Sequence, residues 1–157
     1  MLLSGPNIEG ARLVAVCDIV PERAEALAQK AGVPAYTAMQ EMLEKHHPEL
    51  AVILTESGNH AAHAMTAAKH GAHVMVEKPM ALTLADADNM IETCDRKGVK
   101  LFVVKQNRFN RPVVKLREAL DAGRFGKLTM GTVRVRWCRT QSYYDQAPWR
   151  GTLALDG

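Results

Sequence analysis

Short apolar runs rich in β-branched residues alternate along the chain with longer segments of helical period, and this alternation predicts a parallel sheet covered by crossover helices. Residues 13–18 form the first run. Pro21 opens a helix with Ala24, Leu27 and Ala28 on one face, and Gly32 ends it. A short run at 34–36 precedes a helix over 38–46 that carries Met39, Met42 and Leu43 at helical spacing. Residues 50–54, Leu-Ala-Val-Ile-Leu, predict a fully buried central strand. Asn59 can cap a helix through Ala61, Ala64, Met65 and Ala68 that stops at Gly71, and residues 72–76 predict the next strand. Thr83 caps a further helix through Ala87, Met90, Ile91 and Cys94 to Gly98, before a sixth extended run at 99–104. Right-handed crossovers would gather these runs into one twisted sheet, with the strand C-termini along the edge where open α/β sheets bind ligands.

Beyond that edge the pattern changes. Residues 112–122 predict a helix ending at Gly123, and residues 128–138 alternate apolar and polar positions as an antiparallel strand with one solvated or ligand-facing side would. The pattern therefore divides the chain into an α/β unit over 1–108 and the opening of a different domain over 109–157.

Composition narrows the class. The 47% hydrophobic and 24% charged residues are those of a globular protein. No apolar run reaches the ~20 residues of a membrane span, and the N-terminus lacks a secretory pattern, so the expected location is cytoplasmic with no membrane partner. Cys17, Cys94 and Cys138 have no metal-ligand spacing and read as unpaired thiols. The net charge of +3 owes much to late arginines, Arg108 to Arg150, which favours an anionic ligand or a solvated basic face. No nucleic-acid motif accompanies them.

Several residues at the predicted edge could carry chemistry. Asp18 ends the first run, where a carboxylate accepts hydrogen bonds from adenosine ribose hydroxyls, or simply begins a turn before Pro21. The glycine-rich turn that should precede it is not found, since Gly5 and Gly10 follow no strand. In Thr55-Glu56-Ser57-Gly58-Asn59-His60, hydroxyls and backbone N–H groups before a helix can approach a phosphate or ribose, or form an ordinary capped loop. His60 and His63 share a helix face at metal-ligand spacing, but no third ligand is in sight, and no metal is expected. Glu77-Lys78-Pro79 ends a buried strand. Lys78 there either pairs with Glu77 or meets an oxidised nicotinamide, where desolvation and the positive ring disfavour the ammonium and suit it to relay a proton. Lys105-Gln106-Asn107-Arg108 reaches the same edge, and Trp149 and Arg150 can stack and clamp an anion.

Taken together, Val16-Cys17-Asp18, His73-Val74-Met75-Val76-Glu77-Lys78-Pro79-Met80-Ala81, Lys105-Gln106-Asn107-Arg108 and Trp149-Arg150-Gly151-Thr152 resemble the Gfo/Idh/MocA oxidoreductases, the glucose-fructose oxidoreductase and inositol dehydrogenase family. The resemblance implies an α/β fold, an incomplete Rossmann-type parallel sheet with flanking helices that forms the dinucleotide-binding domain over 1–108 with its first strand missing, followed over 109–157 by the beginning of an α+β substrate and oligomerisation domain. It implies NAD as cofactor, with NADP disfavoured because Ile19 and not arginine follows Asp18. It also implies that Lys78 is catalytic and contacts both nicotinamide and substrate. Asp18, Thr55, Ser57, His60, Glu77, Asn107, Trp149 and Arg150 would join it around the cofactor, and Arg108 and Tyr144 around a sugar or UDP-sugar.

Within the family, residues 55–60, 103–108 and 143–152 look like the bacterial dehydrogenases that oxidise C3 of UDP-N-acetylglucosaminuronic acid for surface-polysaccharide synthesis. Glu56 departs from the proline usual at its position. The glycine-rich turn is expected before residue 1, and the Asp and His that hold substrate and take up a proton after Gly157. The chain alone is then expected to bind NAD weakly and to be inactive, whereas intact relatives form homo-oligomers. A truncated, catalytically silent nucleotide-binding or interaction module is the competing reading.

Overall fold

The computed structural model describes residues 8–157, so Gly5 lies outside the described residues. Strand β1 (Val16–Cys17) leads into α1 (Pro21–Ala31), whose start Pro21 suits because its ring presets a helical φ where no amide partner is needed. Ala24 and Ala28 face inward, and Gly32 ends the helix at φ 68°, a left-handed conformation costly for residues with a Cβ. β2 (Ala35–Tyr36) and α2 (Met39–His46) follow, with Leu43 fully buried.

The main layer is β3 (Leu50–Ile53), β4 (His73–Val76) and β5 (Leu101–Val103), paired in that order and all parallel. α3 (His60–Lys69) and α4 (Leu84–Lys97) are the crossovers. Alanine decides how closely they sit: Ala61, Ala64, Ala67 and Ala68 form the inner face of α3 and pack with Ile53, Val74, Val76, Met90 and Cys94 in one core. Such small side chains let the helix approach the sheet and α4 without voids. Thr83 caps α4 as expected, its Oγ1 accepting from the Asp86 amide at 3.1 Å.

The structure corrects three expectations. The extended runs form two parallel sheets, β1–β2 and β3–β4–β5, instead of one. Among the described residues no strand bridges the free edges of β1 and β3, and a sheet extends only through a hydrogen-bonded neighbour. Residues 128–138 form no strand, for the same lack of a partner. Val133 and Trp137 are 90% and 75% exposed, so the alternating pattern meets neither a ladder nor a core. Asn59 does not cap α3 through its side chain. A 3-10 turn at Ser57–Asn59 precedes the helix, and Asn59 Nδ2 donates to Glu56 instead. Farther on, α5 (Arg111–Asp121) matches its expected position, and a short α6 (Gln141–Tyr144) lies near the end of the chain. Cys17, Cys94 and Cys138 are all free thiols.

Candidate functional site

Register brings the functional loops together. Ile53, Val76 and Val103 are aligned across β3, β4 and β5, so the segments that follow these strands leave the sheet at one edge. The ladder continues past the strands, with the Glu77 amide donating to Ile53 O and the Val104 amide to Val76 O. Thr55–His60, Glu77–Pro79 and the 3-10 turn at Gln106–Phe109 are therefore neighbours by construction.

His60 fastens two of these loops. Its ring is 1% exposed, with Nδ1 2.7 Å from the Pro79 carbonyl oxygen and Nε2 3.0 Å from that of Thr55. Each ring nitrogen thus lies against a backbone carbonyl, to one of which a neutral imidazole donates, so His60 clasps the residue after Lys78 to Thr55, two residues beyond β3. The Lys78–Pro79 peptide within this clasp is cis.

Lys78 itself is exposed, not desolvated. Among the described residues no carboxylate lies within ion-pair distance of it. The half-buried Glu77 turns its Oε2 back to accept the Lys78 amide at 3.0 Å, which excludes the Glu77–Lys78 ion pair as the reason for this sequence. A lysine held on a fixed backbone with its ammonium unpaired is available to a ligand at the edge.

The loop after β3 is more self-satisfied than its composition suggests. The Gly58 amide donates to Leu155 O, the Asn59 amide to Glu56 O and the His60 amide to Ser57 O. These N–H groups are not free to cradle a phosphate. Ser57 is buried, and Thr55 Oγ1 is hydrogen-bonded to His63 Nδ1 at 3.0 Å. Sequence reasoning considered His63 only as a metal ligand; i, i+8 pairing between a loop and the first turn of its helix has no local signature. Among the described residues no three His, Cys, Asp or Glu side chains converge as a metal would need.

The remaining predicted residues divide between the sheet edge and the chain end. Asp18 follows β1, with its amide donating to Tyr36 O and its Oδ1 accepting from the Val20 amide at 2.9 Å. Asn107 and Arg108 lie exposed in the 3-10 turn after β5, where Asn107 Oδ1 accepts from Asn110. Tyr144 rests against Gly151, and Arg150 donates to Tyr143 O at 2.8 Å and Gln146 Oε1 at 2.9 Å. Trp149 lies beside the Arg150 guanidinium at 5.7 Å.

The end of the chain is seated on the loop after β3, a contact that no sequence signal announced. Gly58 donates to Leu155 O at 3.0 Å, and a Cβ at this position would collide with Ala154 O. Asp156 accepts the Gly151 amide at 2.7 Å, closing the turn that begins just after Arg150. Only glycine at 58 allows this approach. Gly58→Ala is expected to unseat the turn at a cost of about 1–3 kcal/mol. Amide hydrogen exchange should then accelerate at Gly151 and Gly157, while Gly131→Ala, in open space, leaves it unchanged.

Two shifted groups sit in this loop and on the first turn of α3. Burial holds His63 below its ordinary 6.5, and hydrogen bonds from its own amide and Asn59 hold Glu56 below 4.5. A group depressed in the folded state stabilises it above the unfolded pKa, and that contribution disappears as pH falls through the folded value. Stability should thus begin to decline as pH drops below the ordinary histidine range, and decline again below the ordinary carboxylate range. Urea midpoints measured against pH check this: His63→Gln should remove the upper decline and keep the lower.

Parallel strands joined by helical crossovers, with the candidate residues at the strand C-terminal edge, define a Rossmann-type unit. The chain belongs to the Gfo/Idh/MocA family, whose model, described as an oxidoreductase family with an NAD-binding Rossmann fold, matches residues 5–105. The WlbA dehydrogenase from Bordetella pertussis, solved in complex with NADH and UDP-GlcNAcA, is 42% identical and superposes with a TM-score of 0.88 over 93% of this chain and 45% of its own. Myo-inositol 2-dehydrogenase from Thermotoga maritima is 35% identical over 121 residues, 76% of this chain, and D-glucoside 3-dehydrogenase from Escherichia coli is 34% identical over 123 residues, 78% of this chain. The chain spans 36% and 35% of those two relatives. Among the described residues no helix is long and apolar enough to cross a membrane.

Proposed function

We propose that the protein carrying this chain is an NAD-dependent oxidoreductase that oxidises a CH–OH group of a sugar, sugar nucleotide or inositol, with C3 of a UDP-N-acetylhexuronic acid as the best-supported target. The observation that carries this reading is Lys78: an unpaired ammonium on a strand end that the His60 clasp holds at the ligand edge. Bound NAD supplies the hydride acceptor. Lys78 orients the substrate hydroxyl by donating to its oxygen, and a base takes up the hydroxyl proton as the hydride leaves the carbon. Asp18 holds the adenosine ribose, and its charge, with Ile19 next to it, opposes a 2′-phosphate and so favours NAD over NADP. Glu77, Asn107, Trp149 and Arg150 complete the cofactor side, and Arg108 and Tyr144 the substrate side.

The same proposal includes the division at residue 108, cytoplasmic residence and assembly into homo-oligomers. Its test is NADH formation by the full-length protein with NAD and UDP-GlcNAcA, myo-inositol or a simple glucoside. Turnover with the sugar nucleotide above the others is expected. Absence of NADH with every donor would instead favour the truncated, catalytically silent nucleotide-binding or interaction module, and the internal use of the amides at Gly58, Asn59 and His60 supports its interaction arm.

A further inference from the structure

The loop after β3 offers the ligand edge little besides one hydroxyl. Its amides at Gly58, Asn59 and His60 donate within the chain, the Thr55 carbonyl faces His60, and Ser57 is buried. Thr55 is exposed, two residues beyond the end of β3. Its Oγ1 has one hydrogen-bond partner among the described residues, His63 Nδ1 at 3.0 Å. His63 is half-buried on the first turn of α3, so the helix holds the ring and the ring holds the hydroxyl.

One proton lies between these two atoms, and which atom carries it decides what the edge presents. With Nδ1 bare, Thr55 donates to the ring and turns only lone pairs toward a ligand. With Nδ1 protonated, the ring donates and the Thr55 O–H must seek another acceptor. The first arrangement uses the hydroxyl proton within the chain, whereas the second leaves it without an acceptor among the described residues. An imidazolium can adopt only the second. Burial opposes that charge, as does the neighbouring His60, while the Glu56 carboxylate favours it; burial prevails and holds His63 below its ordinary 6.5. Glu56 itself accepts from Asn59 Nδ2 and lies in the field of Arg23 on α1. The other elements packed on α3, namely β3, β4 and α4, bring it the apolar Ile53, Val74, Val76 and Met90 and the Cys94 thiol.

We propose that His63 is a positioning residue that keeps the Thr55 hydroxyl an acceptor at neutral pH, so that this loop takes a hydroxyl or carboxamide donor of the dinucleotide and releases it on acidification. A phosphate, which offers only acceptors, finds no donor at Thr55 in the neutral state. The proposal rests on the dehydrogenase reading above for the identity of the ligand; the polarity of the Thr55–His63 pair does not.

Two measurements test it. In this chain, nitrogen NMR of the histidine rings should show His63 with Nδ1 bare and Nε2 protonated at neutral pH, and a protonated Nδ1 there overturns the proposal. In the full-length protein, calorimetry should show the Kd for NAD weakening by about fivefold to tenfold between neutral pH and about pH 5, as a hydrogen bond gives way to two opposed donors. His63→Leu should weaken NAD by about fivefold at neutral pH. His63→Asn, whose Oδ1 can stand in for Nδ1, should recover most of that loss, and neither variant should show the acid weakening. A parent whose Kd is level with pH, a His63→Leu variant within twofold of it at neutral pH, or a His63→Asn variant that keeps the acid weakening overturns the proposal. Thr55→Val separates the two readings. NAD binding unaltered by Thr55→Val removes the threonine contact and this proposal but leaves the dehydrogenase, whereas a parent that binds no NAD at any pH sinks the dehydrogenase and the cofactor named here with it.

Discussion

Lys78→Ala in the full-length protein should lower kcat by about a hundredfold to ten-thousandfold, the range of a positioned proton-handling group, while the Kd for NAD changes far less. The asymmetry follows from the geometry. Lys78 is exposed and makes no ion pair within the chain, so its removal leaves no buried partner uncompensated and should barely alter stability. Steady-state kinetics beside a thermal melt would check both halves. A variant that keeps half of the parent kcat, or one that loses activity only because it unfolds, would remove Lys78 from the chemistry.

The largest stability effect is expected at His60. Its ring is 1% exposed and sits against two carbonyl oxygens from different loops. His60→Ala opens a cavity and removes the ring N–H that donates to one of these carbonyls, which should cost about 2–4 kcal/mol. His60→Gln, able to donate to one carbonyl, should recover part of it. Urea denaturation gives the totals. Because the clasp fixes the backbone beside Lys78, the two variants should also differ in kcat in the full-length protein, with glutamine the more active. Equal stability for the parent and the alanine variant would show that the clasp contributes nothing.

The order of helices and strands was legible because each crossover carries its own period and its own stop. Gly32, Gly71 and Gly98 all adopt positive φ where the helical pattern ends, and Thr83 caps the helix it precedes. Residues 128–138 were misread for a physical reason: alternation records which faces a strand would present, but not whether a partner is there to pair with it. The separation of β1–β2 from β3–β4–β5 has the same origin.

The candidate site was legible to the extent that a strand end announces an edge. Lys78, Asp18 and Asn107 are found where the strand ends put them. Long-range contacts were not legible. Nothing local in His60, His63 or Gly58 distinguishes a ligand contact from a clasp to Pro79, a bond to Thr55 or a seat for Leu155. Histidine in particular reads as chemistry in a sequence, whereas in this fold its rings hold backbone and side chains in place.

The central claim is that hydride passes from a sugar CH–OH carbon to NAD at this edge. Its most direct test is isotopic: the full-length protein is given NAD and UDP-GlcNAcA carrying deuterium at C3, and the reduced cofactor is analysed by mass spectrometry. Stoichiometric deuterium on the nicotinamide, lost in Lys78→Ala, is the predicted result. Reduced cofactor without deuterium, or no reduced cofactor from any labelled CH–OH donor, would contradict it.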